Sequence, residues 1–247
     1  MRPGTELASC LLGAVLAACS AQPQPADATP PSLGEIGNAA VSGLFEDPVL
    51  LSSGRWAGEP YVQGGASRPS AGLAGELRLT GDLDGDGRKE TVVLLWAATG
   101  GSGTRNFVGV FDRDGQTIRN VSTASLGDRV QVREARVDGA QIVLDVVQQG
   151  PDDPACCPGE KATRRYELHG GTLRELPADA QGRVGIVDLA GVEWRLARMS
   201  PPVPLPEPPG ITLTVADGRI SGKGPCNRYF GSIAAGEGTA AVRIGQL

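Results

Sequence analysis

Residues 80–95 read TGDLDGDGRKETVVLL, an acidic, glycine-rich turn that runs straight into a β-branched apolar segment. The second half decides the fold. Residues 91–96, TVVLLW, form an apolar run that is expected to be a strand buried on both faces. The first half points to chemistry. Asp82, Asp84 and Asp86 alternate, Gly87 follows, and Glu90 lies eight residues after Asp82. Oxygen side chains at every second position around a glycine turn are spaced to converge on one hard cation, so Ca2+ is the expected ligand, in a structural role that fixes the entry into TVVLLW.

The loop resembles the DxDxDG loops of integrin-type and other extracellular β-repeat proteins. That resemblance implies an oxygen shell from Asp82, Asp84, Asp86, the Arg88 carbonyl and Glu90. Val93 stands at the twelfth position, where a helix-loop-helix calcium site has its bidentate glutamate, and a strand-like segment follows, so that class is excluded. A shorter echo, FDRDGQ at residues 111–116, is the only recurrence, which argues against a propeller of calcium-loop repeats. The competing reading of residues 82–90 is an acidic turn whose carboxylates satisfy backbone amides.

Working outward, residues 76–79 form a short strand after a small, polar loop at 64–75. Residues 106–111 return as a strand after the glycine loop GGSGT at 100–104. That loop leads into a strand and lacks the Gly-Lys-Ser/Thr of a phosphate cradle. Asp114-Gly115 and Asp138-Gly139 are hairpin turns, because both residue types tolerate positive φ. Hairpins are therefore expected over 130–137 with 141–147 and, across His169-Gly170-Gly171, over 164–168 with 172–176. Residues 44–51 read as a short helix or strand at the domain's start.

Composition agrees with a turn-rich β chain: 36 Gly and 19 Pro in 247 residues, with 4% aromatics. A net charge of −5 argues against a nucleic-acid partner. The single histidine, His169, excludes multi-histidine zinc sites and most His-based catalysis.

Arg2 and the apolar run 7–18 (LASCLLGAVLAA) form a secretory leader too short to span a bilayer comfortably. Leu16-Ala17-Ala18-Cys19 resembles the lipobox of bacterial lipoproteins. The resemblance implies removal of residues 1–18, diacylation of the Cys19 sulfur as a membrane anchor, and, with Ser20 next, a location at the outer membrane facing the periplasm. Residues 19–43 are rich in Ala, Pro and Gln and read as a flexible tether. An exported setting favours disulfides. For Cys156 and Cys157, adjacent in a proline-flanked loop, three readings stand: a vicinal disulfide, pairing of one with Cys226, or free thiols for redox or soft-metal chemistry. The pair is taken as structural by default.

The C-terminal segment carries LAGVEWRL at 189–196 and, after a proline-rich loop at 201–209, DGRISGKGPCNRYFG at 217–231. This order resembles the META domain, the family of the heat-inducible lipoprotein HslJ. Its motif falls on Trp194, Cys226, Asn227, Tyr229 and Gly231. The resemblance implies a compact β-rich envelope domain linked to envelope stress, with no established enzymatic activity. META domains continue beyond the position of residues 244–247 and often hold a second cysteine, so this unit is expected to be incomplete and Cys226 to be a buried, inert thiol.

The combined expectation is a mainly β (β-rich α+β) chain: an antiparallel-sheet domain over 44–179, then a partial META-like domain over 187–247. Its expected function is that of a non-enzymatic envelope lipoprotein that binds a protein or envelope component. Two other classes are a protease-inhibitor-like module and a metal-dependent hydrolase using the carboxylates of residues 82–90.

Overall fold

The computed structural model describes residues 29–197, 210–235 and 242–245. The leader, Cys19 and the proline-rich loop lie outside the described residues. The chain is mainly β, with antiparallel pairing in every sheet. No helix among the described residues is long and apolar enough to cross a membrane.

A short helix, α1 (Leu33–Ile36), and a two-stranded ribbon, β1 (Ala40–Val41) with β2 (Val49–Leu50), open the described chain. Ser32 and Glu35 form a reciprocal capping box, satisfying two amides at the start of α1. The first large sheet has the order β3 (Arg55–Ala57), β4 (Ser70–Gly81), β5 (Glu90–Ala98), β6 (Arg105–Asp114), β7 (Thr117–Asp128). The second is built from β8 (Gln131–Asp138), β9 (Gln141–Gln148), β10 (Glu160–His169) and β11 (Thr172–Glu175), with β12 (Asp179–Arg183) also pairing β10.

Residues 91–96 owe their apolar character to a sheet covered on both sides. From β5 and β6, Val92, Val108 and Val110 face the second sheet, where Ile142, Leu144, Val146 and Tyr166 complete one core. Val93, Leu95, Phe107 and Phe111 face the other way and are covered by Ile36, Val41, Val49 and Leu51 from α1 and the ribbon. The two large sheets approach closely where Gly81 meets β8: a Cβ at Gly81 would fall 2.6 Å from a Val137 methyl. Arg164 crosses the sandwich, its Nη1 donating to the Leu126 carbonyl at 2.5 Å while Glu175 accepts from Nε and Nη2 at 2.6 and 2.8 Å.

Three expectations need correction. The tether read through residue 43 is too long, because residues 30–43 pack on the body. The Pro31 carbonyl accepts from Thr91 Oγ1 and Arg78 Nε at 2.8 and 3.0 Å, and Ile36 and Val41 are fully buried. The segment 64–75 is only partly loop, since β4 starts at Ser70 and absorbs its glycine in a bulge between Leu73 and Arg78. The body also runs past residue 179, because β12 completes the second sheet through Arg183.

The C-terminal sheet has the order β13 (Glu193–Arg195), β14 (Thr212–Ala216), β15 (Arg219–Lys223), β16 (Arg228–Ala235), β17 (Val242–Ile244). Val215, Ile220 and Ile233 form its core, flanked by Leu213 and by Ile186 and Leu189 of a 3-10 turn at Ile186–Leu189.

Candidate functional site

The loop between β4 and β5 brings together three of the expected ligands. One carboxylate oxygen each from Asp82, Asp84 and Asp86 lies within 4.8 Å of the others, an all-oxygen donor set of the kind a hard divalent cation takes. The same carboxylates also hold the loop. Asp82 accepts from the Gly85 and Gly87 amides at 2.8 and 3.1 Å, Asp84 from Asp86 N at 3.1 Å, and Asp86 from Arg88 N at 2.8 Å. The Arg88 amide, and then its guanidinium, pull the Asp86 carboxyl below the usual range.

Glu90 does not join that group. It starts β5, is 2% exposed, and accepts the Leu83 N–H at 2.7 Å. Burial pushes its carboxyl up, with the charges of Asp84 and Asp86 adding to the shift. Arg88 turns its side chain back to Asp86 and to the Arg113 carbonyl, at 2.9 and 3.4 Å. Of the four carboxylates expected in the shell, three gather at the turn, while Glu90 serves as a buried brace through the Leu83 amide.

Cys156 and Cys157 are bonded to each other in the exposed loop between β9 and β10. The loop is organised by Asp153, whose side chain is 2% exposed and accepts the Gly150 and Gly159 amides at 2.8 and 2.7 Å as well as the Arg183 guanidinium. Arg129 ties the same loop to the glycine loop of residues 100–104, donating to the carbonyls of Ala155 and Ser102 at 3.0 and 2.9 Å. Nothing in the linear order of Asp153, Arg183 and Arg129 announces this; only the meeting of three loops at one end of the sandwich does.

The META-type motif builds a hairpin. The turn 224–227 joins β15 to β16 and closes with Gly224 N donating to the Asn227 carbonyl at 2.7 Å. Tyr229 stands opposite Gly222 and donates its hydroxyl to the Thr212 carbonyl of β14 at 2.6 Å. A Cβ at Gly222 would collide with that carbonyl and with the Tyr229 hydroxyl, which accounts for the glycine. Gly231 is buried opposite Ile220, and Trp194 Nε1 donates to the Leu189 carbonyl at 2.8 Å. Cys226 corrects the expectation of burial: it is a free, exposed thiol at the tip of the turn.

The antiparallel architecture and this hairpin define a β-rich protein with a separate C-terminal sheet. Residues 187–247 of the chain match the META domain family, so a META domain stands at its C-terminal end. Neither a curated protein nor a solved structure matches the chain.

Proposed function

We propose that the chain is a non-enzymatic lipoprotein of the cell envelope, anchored through Cys19 and binding a protein or envelope component. The observation that carries this reading is the occurrence in one chain of an apolar run at 7–18 leading into Leu16-Ala17-Ala18-Cys19 and of a C-terminal META domain. Two acyl chains on Cys19 would supply stable attachment to the outer membrane, with the folded body in the periplasm. Within the body, Asp82, Asp84 and Asp86 would hold Ca2+ as a structural ion at the entry to β5.

The test is the chemistry of the mature N-terminus. Cells expressing the chain should yield a membrane-bound protein that begins at Cys19 and incorporates labelled palmitate, and Cys19→Ala should abolish both labelling and membrane retention. A soluble wild-type protein without label would sink the anchored reading. The ion is tested separately. Millimolar Ca2+ should raise the melting temperature of the wild-type protein but not of Asp84→Asn. Equal melting with Ca2+ and with chelator would remove Ca2+ from the proposal.

A further inference from the structure

The register of the C-terminal sheet aligns two rows of side chains on the face opposite Val215, Ile220 and Ile233. Glu193, Thr214, Ser221 and Phe230 stand side by side across four strands. In the next row Arg195 is opposite Thr212, Lys223 is opposite Arg228, and the Lys223 amide reaches Thr212 Oγ1 at 3.2 Å. Both rows line one groove of about 560 Å3, a size suited to a small molecule.

The second row breaks a rule of sheet design. Like charges directly opposite on antiparallel strands repel, and Lys223 and Arg228 form such a pair at the mouth of the hairpin. Among the described residues neither makes an ion pair, and Arg195 reaches only Glu193, at 3.4 Å. Three cations thus share a groove with one carboxylate, on a chain whose net charge is −5. A local conflict of this kind is relieved by an anion placed between the two cations. The Arg228 fork matches an oxyanion, Lys223 supplies a point charge, and the hydroxyls of Thr212, Thr214 and Ser221 add neutral donors. Phe230, 64% exposed at the end of the first row, offers an apolar face beside this polar floor.

We propose that this groove binds a soluble small molecule bearing a phosphate-class dianion, with the oxyanion between Lys223 and Arg228 and the body of the ligand along Phe230. The site follows from the sheet's own register. It shares with the proposed function only the premise that the chain is a binding protein, and it is independent of the Cys19 anchor.

The test is calorimetric titration of the full chain, in a neutral detergent, with inorganic pyrophosphate and with glucose 6-phosphate. Binding should be detectable at ligand concentrations up to about 1 mM at low salt. Lys223→Gln and Arg228→Gln should each weaken it by about tenfold or more, the loss of one charge-assisted hydrogen bond. Arg136→Gln, on the outer face of the second large sheet, should leave affinity unchanged. Because the proposal rests on relieved repulsion, Lys223→Gln should melt at the wild-type temperature or higher without ligand, so lost binding cannot be ascribed to misfolding. No binding of either probe by the wild-type chain overturns the proposal, as does equal binding by Lys223→Gln. Attachment to phosphatidylglycerol vesicles without binding of either soluble probe would overturn it in favour of a lipid headgroup. Neither result bears on palmitate labelling at Cys19, so this inference and the anchored reading fail separately.

Discussion

The first large sheet and the C-terminal sheet are wired alike and covered differently. β5 and β6 run antiparallel with apolar side chains sealed on both faces, by the second sheet on one side and by α1 and the β1–β2 ribbon on the other. Among the described residues the C-terminal sheet has three buried apolar side chains on one face, with Trp194 still 42% exposed, and a polar, cationic groove on the other. The same antiparallel order of five consecutive strands therefore gives a scaffold in one place and a presenting surface in the other. What separates them is how much apolar area each removes from water, since burial contributes roughly 25 cal/mol for each Å2 of apolar surface.

The comparison breaks most easily at a core side chain in each region. Leu95 is fully buried in the first sheet, and Leu95→Ala should lower the stability of the body by about 2–5 kcal/mol in urea unfolding followed through Trp56 and Trp96. Ile220→Ala should act on the transition reported by Trp194 and leave the body's midpoint in place. Equal shifts of both transitions by Ile220→Ala would dissolve the distinction between scaffold and presenter.

A smaller effect is expected at the loop of the bonded cysteines. Asp153→Ala strands two glycine amides and the Arg183 guanidinium, and should cost about 1–3 kcal/mol. Reduction of Cys156–Cys157 should cost less, because a bridge between adjacent residues closes almost no chain loop in the unfolded state. Thermal melts with and without a dithiol reductant, in both backgrounds, check the order. A larger loss on reduction than in Asp153→Ala would show that the bridge, and not the carboxylate, organises the loop.

The smallest effect concerns the cover of the first sheet. The Ser32 amide first, then Arg113 and the Ser32 hydroxyl, hold the Glu35 carboxyl at about 2, below its ordinary value of 4.5. A carboxyl lowered in the folded state adds stability that is complete above its unfolded pKa and disappears as pH falls through the folded one. The melting-temperature gap between wild type and Glu35→Gln should therefore be widest near neutral pH and shrink from about pH 4.5 down to about pH 2. A gap that stays constant over that range would show that the capping box carries no charge-dependent stabilisation.

Much of the scaffold was legible in the sequence, and the reasons are local. Asp138-Gly139 and His169-Gly170-Gly171 mark hairpins because Gly139, Gly170 and Gly171 supply the positive φ the turns require, while Asp138 and His169 close the strands β8 and β10 before them. The two-sided burial of β5 was legible from its unbroken apolar run. The N-terminal cover was legible only in part: Val49 and Leu51 fall in the segment 44–51 already read as the domain's start, whereas Ile36 and Val41 stand in a stretch whose composition resembles a spacer, and their burial depends on a sheet face that forms far along the chain. The acidic triad was legible as three carboxylates at a glycine turn. The inward turn of Glu90 was not, since spacing alone cannot show that the Leu83 amide claims it. The row Arg195, Thr212, Lys223 and Arg228 becomes visible only once the strand register is known, because its members lie on four strands separated by turns and loops of unrelated length.

The division between scaffold and presenting sheet is tested most directly by native-state hydrogen exchange. Amides of β5, β6, β9 and β10 should exchange slowest, near the rate set by global unfolding, while those of β14, β15 and β16 should exchange through a separate opening of lower free energy. Protection of the C-terminal strands equal to that of β5 and β6, lost in a single common opening, would contradict the account.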